Sequence, residues 1–169
     1  MIRKKKNYSR PRKPFEAQRI KDENVLVKKY GLKNKREVWK TTAKVNYYRT
    51  RAKELAKANS KEQELFFKKL QAIGLKVESI ADALDLKIEN LLDRRLTTII
   101  VGKGIATTAK QARQMVTHKK IMINGKVMNA PSYIVPISDE SSIEAKKKMR
   151  KPKAEKSEEV AVESAEAGE

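Results

Sequence analysis

The sequence predicts an α+β protein: a mostly helical N-terminal part, a small helix–helix–β-hairpin module, and a disordered acidic C-terminal tail. Three observations carry this. Apolar residues recur at helical spacing from Phe15 to Leu86, punctuated by Gly31 and Gly74. Asn124-Gly125 stands between the apolar-rich runs 121–123 and 126–128, the strongest short-range hairpin signal. After Lys153 the chain turns to Ala and Glu with two valines and no aromatic, too little apolar area to offset the entropy of ordering. The expected divisions are a basic arm (1–14), a helical N-terminal domain (15–90), the module (91–145), and a basic-then-acidic tail (146–169).

The arm, MIRKKKNYSRPRKP, is dense in cations with two prolines and should be disordered alone, ordering against phosphates. Phe15 to Tyr30 reads as a helix ended by Gly31, which suits a left-handed C′ position. Asn34 with Glu37 three residues on reads as an N-terminal cap. It opens a long helix, Lys35 to Ala58. Val38, Val45, Tyr48, Ala52 and Leu55 form one apolar stripe of it, and Lys40, Lys44, Tyr47 and Arg51 another face. Trp39 and the Tyr47-Tyr48 pair fit either packing or stacking on bases. Ser60 with Gln63 reads as a capping box for a helix with Phe66, Leu70 and Ile73 inside, ended by Gly74. Ser79 with Asp82 opens a short helix whose core candidates are Ile80, Leu84 and Leu86.

In the module, Leu92, Leu96, Ile99 and Ile100 predict one face of a helix. Arg94, Arg95, Thr97 and Thr98 make its remaining surface, and Gly102 and Gly104 break it. Thr108 with Gln111 caps a second helix. Its buried stripe is Ala109, Ala112, Met115 and Val116, and Lys110, Arg113, Gln114 and Thr117 lie opposite. The hairpin follows, and Pro131-Ser-Tyr133 turns the chain into a last strand, Ile134 to Ile137.

With 40 Lys+Arg against 21 Asp+Glu, the formal charge is +19, which favours a polyanionic partner, nucleic acid before an anionic membrane surface. Residues 1–60 hold 20 basic and 5 acidic side chains, residues 94–153 hold 14 and 3, and residues 154–169 hold 1 and 6. No apolar run approaches the roughly 20 residues of a spanning helix, and no signal peptide or lipidation motif is visible. With no cysteine and one histidine, disulfides, a Cys/His zinc site and a cysteine nucleophile are excluded. Zero cysteines fits a reducing compartment. The carboxylates of 61–93 read as caps and surface charges. No catalytic constellation appears, and no enzyme, cofactor or small-molecule substrate is expected.

The candidate RNA contacts are Arg3, Lys4, Lys5, Arg10 and Arg12 in the arm, and Lys40, Lys44, Tyr47 and Arg51 on the long helix. In the module they are Arg94, Arg95, Thr108, Lys110, Arg113, Gln114, His118, Lys119, Lys120 and Lys126. His118 fits two roles, capping helix carbonyls or reaching RNA with its neighbours. The second helix's N-terminus at Thr108 favours phosphate. The module then forms half of a two-part RNA clamp, with the basic N-terminal block as the other half.

The stretch from Leu91 to Tyr133, with RRL (94–96), GKGIATTAKQARQMVTH (102–118) and IMINGKVMNAPSY (121–133), closely resembles the RNA-binding domain of the ribosomal small-subunit protein four family. KYGLKNKREVWK (29–40) is similar to the archaeal and eukaryotic form. The large insertion and the N-terminal cysteine cluster of bacterial members have no counterpart here. The resemblance, over about residues 2–145, implies a cytoplasmic constituent of the small ribosomal subunit. It also implies direct binding of small-subunit rRNA at a multi-helix junction, and neighbours numbered three and five. Aid to subunit assembly and an influence on translational accuracy are implied as well. An RNA-modifying enzyme using the module as a clamp lacks room for a catalytic domain in the 90 residues before it. A biogenesis factor that leaves the mature subunit is the other alternative.

Overall fold

A computed structural model describes residues 7–146. The expectations for Arg3, Lys4 and Lys5, and for the tail from residue 147 onward, lie outside the described residues. Eight helices and three short strands make up the described chain. The N-terminal part is α1 (Ala17–Lys29), α2 (Lys35–Leu55), α3 (Ser60–Ala72), α4 (Ile80–Asp85) and α5 (Ile88–Asp93). The module contains α6 (Leu96–Gly102), α7 (Ala109–Thr117), β1 (Ile121–Ile123), β2 (Lys126–Met128), α8 (Ile137–Glu140) and β3 (Ile143–Ala145).

The long helix buries the stripe its spacing predicts: Val38, Val45, Tyr48, Ala52 and Leu55. Of these, Val45, Tyr48 and Ala52 pack with Leu70, Leu75, Val77, Ala83, Leu86 and Leu91. Ser79 and Asp82 form the expected capping box, each bonding the other's backbone N–H. Ser60 does not cap α3. Asn59 takes the N-cap position and Ser60 enters the helix. Gln63 instead donates to the carbonyls of Leu55 and Ala58, at 2.9 and 3.2 Å, tying the start of α3 to the end of α2. Asn34 is the N-cap of α2 but makes no side-chain capping bond, and the Glu37 N–H donates to the Asn34 backbone carbonyl instead, at 3.0 Å.

The helix expected through Leu92–Ile100 is two helices. Arg95 is extended (φ −73°, ψ 144°) and forms an isolated antiparallel bridge with Ile134. Leu96 N–H donates to the Tyr133 carbonyl and Val135 N–H to the Arg94 carbonyl. That bridge is all that forms of the expected strand 134–137. Pro136 has no N–H to extend a ladder and serves as N-cap of α8. The third strand is β3, and the antiparallel sheet order is β2-β1-β3. The hairpin turn is as expected: Asn124 (φ 50°) and Gly125 (φ 73°) are both left-handed, which a two-residue turn requires. Ile121, Ile123 and Ile143 pack beneath Leu96, Ile100, Ala112 and Val116.

The two halves meet at glycines. A Cβ on Gly31 (φ +60°) would lie 2.9 Å from backbone atoms of Ala109 and Lys110, so the α1–α2 corner sits against the first turn of α7. A Cβ on Gly74 (φ +89°) would lie 2.5 Å from Arg94 Nε. Tyr30 Oη donates to Asp93 at 2.8 Å, and burial followed by the nearby carboxylates pushes the phenol's pKa up.

A basic groove shared by two helices: the candidate nucleic-acid interface

The sequence of α7 sets its faces. Ala112 and Val116 are buried, while Lys110, Gln114 and Thr117 form an exposed stripe at one-turn spacing. Thr108 Oγ accepts the Gln111 N–H at 3.2 Å. Gln111 returns its side chain to the N–H and hydroxyl of Thr107, at 3.0 and 2.6 Å, one residue before the expected partner. Past the helix, Lys119 is left-handed (φ 58°) and Lys120 N–H donates to the Met115 carbonyl. Backbone N–H groups of His118, Lys119 and Lys120 thus close the last turn. Among the described residues the exposed His118 ring takes no part, so it does not cap the carbonyls. Lys126 is exposed just after the hairpin turn.

Arg113 departs from the stripe. Its guanidinium grips Glu37 of α2 with both terminal nitrogens, at 2.6 Å to Oε1 and 3.0 Å to Oε2. Arg95 Nη2 donates to the same Oε2 at 2.8 Å. Burial alone raises the Glu37 pKa, but hydrogen bonds from Arg113 and Arg95 and the two positive charges outweigh it, leaving the carboxyl below its ordinary range. Glu37 therefore stays ionised as the counter-ion of two arginines on the module. Periodicity hides this, because the acid satisfies a capping pattern and its partners lie 58 and 76 residues away.

The expectation that Arg94 and Arg95 are exposed helix surface is corrected. Arg95 is buried on Glu37 and the Pro131 carbonyl. Arg94 is folded inward onto the carbonyls of Ile73 and Val135 (2.9 and 3.0 Å) and onto Glu140 (2.9 Å). Thr97 is buried, and Thr98 donates its hydroxyl to the Leu92 carbonyl.

On α2 the basic face stands as expected, with Lys40, Lys44, Tyr47 and Arg51 all exposed. The surrounding protein lowers the Lys44 pKa, and its ammonium lies 5.9 Å from the Tyr48 ring centroid. Arg51 pairs with Glu54 at 3.1 Å. The three aromatics separate by role. Tyr48 is core, Tyr47 is 64% exposed, and Trp39 is half-buried, donating its indole N–H to Glu23 at 2.9 Å. Glu23, another residue that sequence reading missed, is buried beside Arg19 and Lys35. Burial raises its pKa, but the Trp39 and Arg19 bonds and the nearby cations lower it more. Over residues 7–14 the arm lies against the helices. The Tyr8 ring is 6.1 Å from Trp39, and Arg19 holds the carbonyls of Lys13 and Pro14, while Arg10 and Arg12 remain exposed.

The two predicted basic faces meet only in part: Lys40 and Lys44 of α2 and Arg113 of the module line one groove, while Tyr47, Arg51, Lys110, Gln114 and Thr117 lie outside it. A groove of about 280 Å³ has Lys40, Thr41 and Lys44 of α2 on one side and Arg113, Arg95, Pro131 and Ser132 of the module on the other, with Glu37 between. Among the described residues no His/Cys/Asp/Glu group could hold a metal, and no helix is long and apolar enough to cross a membrane. Lys40, Lys44, Arg95 and Arg113 against Glu37 leave the groove positively charged.

Residues 94–141 match the S4 domain family. The chain is similar to small ribosomal subunit protein uS4 of Methanosphaerula palustris, 45% identical over 149 residues (82% of each chain). The same protein of Methanothermobacter thermautotrophicus is 43% identical over 145 residues (82% of this chain, 85% of the relative). That of Korarchaeum cryptofilum is 42% identical over 149 residues (85% and 90%). Each of these relatives is a protein of the small ribosomal subunit. With such identity along most of its length, the chain belongs to the small ribosomal subunit protein uS4 family.

Proposed function

We propose that the protein is a structural constituent of the small ribosomal subunit in the cytoplasm, binding small-subunit rRNA directly. The RNA is a multi-helix junction, small-subunit proteins three and five are its neighbours, and the binding aids assembly and decoding accuracy. The observation that carries this reading is the groove where Lys40 and Lys44 of α2 face the module. A junction presents phosphates from several helices at once, and two basic elements held at a fixed separation meet such a surface by shape. The contact set is Lys40, Lys44, Tyr47 and Arg51 on one side. On the other it is Thr108, Lys110, Gln114, His118, Lys119, Lys120 and Lys126. The arm, with Arg3, Lys4, Lys5, Arg10 and Arg12, extends the first group. Arg113 acts from within the groove as the residue that fixes the two sides together. The division at residues 14, 90 and 145 is proposed on these roles, with α5 spanning the second boundary.

Filter binding of the full chain to an rRNA junction fragment, across a salt series, tests the reading. Lys40→Ala, Lys44→Ala and Lys110→Ala together should weaken binding by at least tenfold and flatten log K against log salt by about 2–3 units, one for each lost phosphate contact. A folded triple variant with unchanged affinity and slope would remove this face from consideration.

A further inference from the structure

We propose that the groove between α2 and the module holds one unpaired nucleotide of the RNA, with the base inside and the phosphate at the rim. Such a site presupposes that this face meets RNA, and it adds contact with a base to contact with phosphates.

Size limits what can enter. The groove is about 280 Å³, at the lower edge of the roughly 300–1,000 Å³ typical of small-ligand sites. An A-form helix presents a wide, shallow minor groove, so it lies across such an opening and cannot enter it. A single nucleotide turned out of its stack can.

The lining is divided as a nucleotide is divided. Leu91, Pro131 and Ile134 supply an apolar wall. Lys40 and Lys44 stand one turn apart on α2, exposed, and neither has an acidic partner among the described residues. An apolar wall suits the face of a base, and two unpaired cations suit its phosphate. Arg113 adds a platform. Glu37 holds its guanidinium by two bonds, at 2.6 and 3.0 Å, so the plane is fixed before any ligand arrives. Unpaired RNA bases stack on guanidinium planes of this kind.

A buried donor points the same way. Arg95 lines the groove and is only 4% exposed, yet its buried Nε has no acceptor among the described residues. Buried donors are ordinarily satisfied, so an unpaired one on a groove wall favours a ligand that carries an acceptor. Ring nitrogens and keto oxygens give every base such an atom. Stacking and one donor do not separate the bases, so the site selects an unpaired nucleotide rather than a sequence.

RNA hairpins with a one-nucleotide bulge test this on the full chain. A bulged base has little pairing to lose on leaving the stack. One hairpin carries uridine in the bulge and the other an abasic residue, with the same phosphates in both. The uridine hairpin should bind at least about fivefold tighter, the lower end of what one stacked base contributes. Methyl resonances of Leu91 and Ile134 should shift with the uridine hairpin and stay in place with the abasic one. Ser132→Trp, which fills the groove, should remove most of the difference in affinity.

Equal affinities for the two hairpins overturn the proposal. Tighter uridine binding with the Leu91 and Ile134 methyls unmoved also overturns it, because the base then sits elsewhere. So does a folded Ser132→Trp protein that keeps the whole difference. Failure of the RNA-face reading looks different: alanine at Lys40, Lys44 and Lys110 would then leave the affinity for both hairpins unchanged.

Discussion

Glu37 is the residue on which most depends. It is one carboxylate for two guanidiniums, and Arg95 has nowhere else to take its charge, its side chain being 5% exposed. Glu37→Gln should therefore cost about 3 kcal/mol in urea denaturation, the order expected when a buried ion loses its partner. Replacing Glu37, Arg95 and Arg113 together with Leu, Met and Met should cost far less, since no charge is then stranded. The pH dependence follows from the same group. The carboxyls of Glu37 and Glu23 titrate below their ordinary 4.5 in the folded protein. Their stabilisation is present above the unfolded value and is lost as pH falls through the lowered folded values. Stability should be level near neutrality and decline below about pH 4, and the decline should be shallower in Glu37→Gln. Urea titrations at a series of pH values measure both.

At the scale of elements, Gly31 and Gly104 form a natural experiment. Both have positive φ (+60° and +72°), but only Gly31 faces backbone, while a Cβ on Gly104 would meet nothing within 4 Å. Gly104→Ala should cost only the left-handed strain, about 1 kcal/mol. Gly31→Ala should cost about 2–4 kcal/mol, because it also pushes α7 from the α1–α2 corner. Equal losses would show that the close approach carries no energy. These elements also show what sequence makes legible. The stripe of α2, the Ser79 cap and the Asn124-Gly125 turn depend on neighbours within a few residues, and all formed as the pattern required. The break at Arg94-Arg95 has no Gly or Pro to announce it, since Ile134 imposes it from 39 residues away. Strand 134–137 stopped at the Arg95–Ile134 bridge because Pro136 has no N–H to extend it, and β3 holds the place beside β1. Charge told which helix faces are basic, but not that two arginines of the module would turn inward to an acid of α2.

For the whole molecule, the consequence of the Glu37 bridge reaches beyond stability. The module has a core of its own, with Leu96, Ile100, Val116 and Ile121, distinct from the clusters the N-terminal helices form. The carboxylate joins that core to α2, so opening one half strands a charge in the other. Native-state hydrogen exchange should accordingly find the amides of α2 and α7 sharing a single opening free energy. In Glu37→Gln they should part into two, the module outlasting the helices. Without this acid each half keeps its own core but loses the ion pairs that join them. What is lost is part of the coupling between two basic surfaces; the rest is left to the close contacts at Gly31 and Gly74.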